Sequence, residues 1–120
     1  MNKKTLVLGA SPNPERFSYK AVLRLMAYNH EVVALGTRKG EINGIIIHTQ
    51  PEPFPNIHTV TLYLNPIRQK DYYDYILSLK PTRIIFNPGT YNPELIKIAK
   101  EHHIETIEMC TLVMLSTNSY

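Results

Sequence analysis

Nine prolines punctuate this 120-residue chain and stand outside its strongest apolar runs. Between them, short strand-like runs alternate with helix-like stretches, and this alternation constrains the fold more than any other feature. The runs at 5–8, 31–35, 45–47, 59–64, 83–86 and 104–108 have the length and apolar character of buried strands. A helix fits after Ser18, which can cap it, with Val22, Leu25 and Met26 on one face. A second fits from about Gln69 to Leu79, with Tyr73, Ile76 and Leu77 facing inward. Asn92-Pro93-Glu94 marks a third helix start: a capping side chain, proline at the first helical position, and an acid beside the positive end of the dipole. Leu95, Ile98 and Ala99 supply its buried face. The run 111–115 fits a short helix or an edge strand. Strands alternating with helices imply βαβ crossovers, hence an α/β chain with a mainly parallel sheet of about five strands and helices on both faces.

At this length one domain is expected, spanning 1–120. An apolar fraction of 43% suffices for one core. The 13 basic and 10 acidic residues leave a mild charge of +3, and no Lys/Arg run exceeds two, so no nucleic-acid surface is indicated. The single cysteine, Cys110, excludes a disulfide framework within the chain and a cysteine zinc cluster. No apolar run approaches membrane-spanning length, and the Met1-Asn2-Lys3-Lys4 start lacks a signal-peptide pattern. A reducing cytoplasm is the expected compartment.

Open parallel sheets bind ligands beyond the carboxyl ends of their strands, near the switch in strand order. Four loops meet that rule: after Leu8, Leu35, Leu64 and Phe86. The first runs Gly9-Ala10-Ser11-Pro12-Asn13-Pro14-Glu15-Arg16-Phe17-Ser18-Tyr19. Its glycine allows a tight turn, and N–H groups near Ser11 and at the following helix start can hold a phosphate oxygen. Arg16 adds a cation. Only the first glycine of a dinucleotide fingerprint is present, and a Walker loop is absent. An ordinary strand-to-helix turn would read the same way.

The second loop, Gly36-Thr37-Arg38-Lys39-Gly40-Glu41-Ile42-Asn43-Gly44, is neutral at its start, where NAD-binding sheets hold the ribose with a carboxylate. Its two cations would attract a phosphorylated ribose. That favours NADP, with its 2′-phosphate, or coenzyme A, with its 3′-phosphate; a solvated basic turn is the plain alternative. The third and fourth loops, Asn65-Pro66-Ile67-Arg68 and Asn87-Pro88-Gly89-Thr90-Tyr91-Asn92, suit walls around an extended ligand, although Asn-Pro is also a common turn former.

With these loops, the chain resembles the small stand-alone CoA-binding domains. These are similar in fold to the CoA-binding domain of the succinyl-CoA synthetase alpha subunit. The resemblance runs from about Lys4 to Cys110. It is carried by Gly9-Ala10-Ser11-Pro12-Asn13-Pro14-Glu15-Arg16 with Ser18-Tyr19, by Glu41-Ile42-Asn43-Gly44, and by Met109-Cys110. It implies a Rossmann-like three-layer domain. It implies that the Gly9–Arg16 loop holds the pyrophosphate region, that Arg38 or Lys39 lies near the adenosine phosphate, and that loops three and four flank the ligand. The chain departs from the family's usual pattern at Gly36-Thr37 and at Asn87-Pro88-Gly89-Thr90.

None of the five histidines has a ligand partner at helical spacing, so no metal motif exists. His102-His103 suits a helix end. Glu94 fits a helix start and Glu41 a turn; Ser11 has no histidine near it in sequence to act as base. Cys110 can pair with a cofactor thiol or serve as a small buried hydrophobe. Tyr72, Tyr73 and Tyr75 crowd one helix, which leaves a homodimer or an unknown protein partner open. The expectation is therefore a non-catalytic domain binding coenzyme A or an acyl-CoA. Its contacts would come from Gly9, Ala10, Ser11, Asn13, Arg16, Ser18, Arg38, Lys39, Asn65, Pro66, Asn87 and Gly89. The alternative is an NADP(H)-binding reductase or redox sensor.

Overall fold

The structure, a computed structural model, describes residues 2–120. The first strand, β1 (Thr5–Leu8), is buried along its whole length, as expected of a central parallel strand. It leads through the first loop to α1 (Phe17–Ala27) and then β2 (Val32–Leu35). Next come the hairpin β3 (Gly40–Ile42) and β4 (Ile45–His48), and after the proline-rich connector β5 (Thr59–Leu62). A broken helical segment follows: α2 (Pro66–Gln69), a tighter turn (Lys70–Tyr72), then α3 (Tyr73–Leu79). The chain continues through β6 (Arg83–Phe86), α4 (Pro93–Glu101), β7 (Glu105–Glu108) and α5 (Thr111–Ser116).

The sheet has seven strands in the order β3-β4-β2-β1-β5-β6-β7, not about five. All pairs are parallel except β3 with β4. The extra edge strand comes from residues that read as loop. Asn43 (φ 47°) and Gly44 (φ 90°) both adopt left-handed backbone and turn the chain back, pairing Glu41 with Ile46.

One face of the sheet packs Val7, Ala34 and Ile47 against Val22 and Leu25 of α1 and Leu115 of α5. The other packs Leu6, Leu62 and Ile84 against Ile76 of α3 and Leu95 and Ala99 of α4. Three layers result. The run 111–115 is the helix α5. Ser18 does not cap α1; the helix begins one residue earlier, and Ser18 is buried in its first turn. Asn92 caps α4 as its sequence dictates, accepting from the amides of Glu94 and Leu95 at 3.1 and 3.3 Å.

The chain first winds outward from β1 through β2 to β4, then resumes on the other side of β1 with β5. The strand order therefore reverses between β1 and β5. A crevice is expected above the carboxyl ends of those two strands.

Candidate functional site

A cleft of about 510 Å³ occupies that crevice. Its floor begins at Gly9, whose φ of +97° suits glycine and whose added Cβ would lie 2.9 Å from the Tyr63 carbonyl carbon. The first loop is thereby pressed against the end of β5. The amides of Gly9 and Ala10 both donate to Leu35 O, at 2.9 and 3.0 Å, so both are engaged in holding β2. Beyond them the loop shapes itself. Ser11 Oγ accepts from the Asn13 amide at 3.1 Å, and Asn13 Oδ1 from the Glu15 amide at 3.0 Å.

α1 then starts without a side-chain cap. Among the described residues, the first-turn amides of Phe17, Ser18 and Tyr19 have no acceptor. With the positive end of the helix dipole, they form a donor group at the cleft.

The β2 side closes by contact. A Cβ on Gly36 would fall 2.1 Å from Ala10 O, so only glycine lets the two strand-end loops touch. Thr37 and Arg38 line the cleft there. Lys39 does not; it lines a separate hollow of about 330 Å³ against Gly40, Ile47 and His48 at the β3–β4 edge. The two cations of that turn thus diverge.

On the β5 side, Asn65 Oδ1 caps α2 by accepting from the Arg68 amide at 2.9 Å. Asn65 and Arg68 both line the cleft, whereas Pro66, at the first helical position, does not. Gln69 is fully buried behind this wall. Its Nε2 donates to Leu64 O and to Thr90 O, each at 2.8 Å, and its Oε1 accepts from Asn92 Nδ2 at 2.9 Å. One side chain thereby ties the β5 loop to the β6 loop. Gly89 and Thr90 line the cleft on the β6 side. Asn87 is buried beneath it, donating to Thr61 Oγ1 at 2.7 Å and Leu62 O at 2.8 Å while accepting from the Thr111 amide at 2.8 Å. It clamps β5, β6 and α5 together, and its polar atoms face the protein.

Nine of the twelve expected residues therefore meet at one cleft: Gly9, Ala10, Ser11, Asn13, Arg16, Ser18, Arg38, Asn65 and Gly89. Lys39, Pro66 and Asn87 lie outside its lining. The sequence-based set lacked Arg68, Phe17, Tyr63 and Thr90, which also line it. Arg68 was legible as the first-turn cation following Asn65. Phe17 and Tyr63 carry no local signal.

The lining contains three arginines, Arg16, Arg38 and Arg68, and no carboxylate. All three are exposed. Among the described residues the only ion pair is Lys4–Glu31, at 3.4 Å, so none of the three is neutralised in the protein. The Tyr63 phenol is the cleft's one strongly perturbed group. Burial pushes its ionisation well above the ordinary range, and the hydroxyls of Thr111 and Thr61 beside it pull only partly back. These two hydroxyls are engaged with each other, at 2.7 Å, and neither makes a well-formed hydrogen bond to the buried Tyr63 oxygen, so the phenol stays neutral at physiological pH. Cys110 is half-buried at the cap position of α5, outside the lining. Tyr72, Tyr73 and Tyr75 pack half-buried against the core, and the Tyr73 hydroxyl bonds Glu94 at 3.0 Å.

The fold and the cleft define a Rossmann-like α/β domain with a cationic crevice at its topological switch point. The chain belongs to the CoA binding domain family, whose model matches residues 3–116. It is similar to a crystal structure of an uncharacterized protein, with 48% identity, TM-score 0.98, and coverage of 100% of this chain and 99% of that one. A hypothetical protein from Pyrococcus horikoshii OT3 shares 24% identity at TM-score 0.87, over 97% of this chain and 83% of that one. An acetyl-coenzyme A synthetase 1 from Ca. Korarchaeum cryptofilum, in complex with phosphate and ADP, shares the fold at 14% identity and TM-score 0.74. That match covers 89% of this chain but 25% of the synthetase. No curated protein matches the chain. No helix among the described residues is long and apolar enough to cross a membrane.

Proposed function

We propose that this chain binds coenzyme A or an acyl-CoA at the switch-point cleft and performs no chemistry on it. The observation that carries this reading is the trio of arginines facing a cleft with no carboxylate. A ligand with a pyrophosphate and a further phosphate matches that charge. Arg16 and the α1 first-turn amides take the pyrophosphate, Arg38 takes the 3′-phosphate, and Arg68 closes the opposite wall. Membership of the CoA binding domain family supports the same ligand. Charge-assisted hydrogen bonds contribute about 1.5–3 kcal/mol each, so one arginine sets at least a tenfold difference in affinity. The chain works in a reducing cytoplasm, where Cys110 stays a free thiol.

Thermal melts with CoA and dephospho-CoA test this. At a hundredfold excess over its dissociation constant, CoA adds about 2.7 kcal/mol of stability, or roughly 10 °C for a chain of this size. Dephospho-CoA at the same concentration gives a much smaller shift, and Arg38→Gln erases the difference. Equal shifts from both ligands would reject the role of Arg38. Tight NADPH binding without CoA binding would replace the reading with the NADP alternative.

A further inference from the structure

The sheet ends in two edges, β3 on one side and β7 on the other. An edge strand presents free backbone donors and acceptors, and proteins commonly blunt such edges with charge. β7 is blunted in this way. It reads Glu105-Thr106-Ile107-Glu108 with both glutamates exposed, and no Lys or Arg follows Lys100. Two β7 edges side by side would gather acids alone. At β3 the charges alternate in sign instead, as Lys39-Gly40-Glu41, and both charged residues are exposed. Among the described residues the only ion pair is Lys4–Glu31, so Lys39 and Glu41 are both unpaired.

The hairpin fixes which backbone groups of β3 are free. Ile42 and Ile45 flank the two-residue turn at Asn43-Gly44, so they form a hydrogen-bonded pair, and by alternation so do Gly40 and Ile47. Glu41, opposite Ile46, lies between those pairs, and its N–H and C=O point away from β4. Lys39, two residues earlier, follows the same alternation. Neither the Lys39 nor the Glu41 amide donates to another backbone group outside the hairpin ladder. α1 covers one face of the hairpin, where Ile42 and Ile47 are buried with Val22 and Leu25. The other face is open. Ile46, which shares that face with Glu41, is 65% exposed, and it lines the same hollow as Lys39.

We propose that β3 pairs antiparallel with β3 of a second copy of this chain, about a two-fold axis at Gly40, so that one sheet runs through both copies. This register sets Lys39 opposite Glu41 of the second copy, and Glu41 opposite its Lys39. The outward N–H and C=O groups then meet, and each pair exchanges backbone hydrogen bonds. Opposite charges meet at the same two places. An axis at Glu41 would oppose two carboxylates, and an axis at Lys39 two ammonium groups. Gly40 falls where facing Cα atoms approach to about 4.5 Å, and glycine brings no side chain there. Ile46, across the hairpin from Glu41, gives each ion pair an apolar flank. The contact is short, below the roughly 1,200 Å² at which stable interfaces begin, so the dimer exchanges with monomer. Lys39 and Glu41 both lie outside the cleft lining, so this proposal is independent of the CoA reading.

The test is sedimentation equilibrium from micromolar to millimolar chain. It is run on the unaltered protein, on Lys39→Glu, on Glu41→Lys, and on an equimolar mixture of the two variants. Both positions are exposed, and circular dichroism with a thermal melt verifies that the variants fold. The average mass of the unaltered protein is expected to rise with concentration from that of one chain toward that of two. Each variant alone sets like charges across the axis and stays at the mass of one chain. Mixing them restores opposite charges at both pairs, and the mass rises again. Glu41→Pro removes the outward amide without touching a ladder bond, and it too stays monomeric. An unaltered protein that is monomeric at every concentration would overturn the proposal. Undiminished dimerisation of any single variant would overturn it as well, and so would a mixture that gains nothing over its components.

Discussion

Gln69→Met isolates the contribution of one buried side chain to the cleft wall. Gln69 is fully buried and makes three hydrogen bonds, at 2.8, 2.8 and 2.9 Å, which join the end of β5 to the start of α4. Methionine has nearly the same length and volume, so no large cavity opens and the loss reports the polar contacts. At about 1 kcal/mol per bond the variant loses about 3 kcal/mol. Unfolding entropy of about 2.1 cal/mol/K per residue makes 1 kcal/mol worth about 4 °C in a chain of this length, so the melting temperature falls by roughly 12 °C. Urea unfolding should show a lower midpoint with an unchanged slope, because the denatured state is not altered. CoA affinity falls as well, since Leu64 and Thr90, the two residues whose carbonyls Gln69 holds, both line the cleft. A loss below about 0.5 kcal/mol, within the range of a neutral surface change, would refute the idea that this bridge holds the wall.

Acid should destabilise the protein through the opposite end of the sheet. His30 Nδ1 accepts from the Lys3 amide at 2.9 Å, and His58 Nδ1 contacts Thr59 Oγ1 at 2.8 Å, an oxygen that already accepts from Arg83 Nε. Burial first, then nearby positive charge including Lys3 and Arg83, holds both imidazoles below their ordinary value of 6.5, with Glu105 opposing this at His58. The unfolded chain thus binds more protons, so the stability is present above about pH 6.5 and declines as pH falls through the depressed folded values. Urea midpoints measured from neutral to mildly acidic pH check this; His30→Gln/His58→Gln flattens the slope, and a midpoint rising toward acid would contradict it. Gly36→Ala drives a methyl group to 2.1 Å from Ala10 O, costing on the order of 1–3 kcal/mol and weakening CoA binding by displacing the first loop, as a melt and a titration would show. Arg16→Gln and Arg68→Gln each weaken CoA at least tenfold and reduce the salt dependence of binding, whereas unchanged affinity would remove that arginine from the site.

Much of the architecture is written locally. β6 falls on the apolar run 83–86, and the Asn92-Pro93-Glu94 start of α4 follows from capping chemistry alone. β3 was hidden because Gly40–Ile42 is short and sits beside a charged turn. The Asn43-Gly44 pair between Ile42 and Ile45 is nonetheless a strong hairpin signal. The first loop could be placed at the site because a strand followed by glycine has few alternatives. Other features depend on tertiary contact. Lys39 and Arg38 are chemically alike and adjacent, yet only the hairpin's path decides which one faces the cleft. Asn87 looks like a loop residue and becomes a clamp only once α5 supplies the Thr111 amide. Gln69 and Tyr63 are single side chains whose partners lie in distant segments, and no spacing rule reveals them.

On the proposed reading, three arginines and an uncapped helix start hold the phosphates of a CoA-type ligand. The most direct measurement is calorimetric titration of CoA into the purified chain at low and at physiological salt. Saturable one-to-one binding that weakens as salt rises is the expected outcome. Absence of heat and of saturation up to millimolar CoA would contradict it.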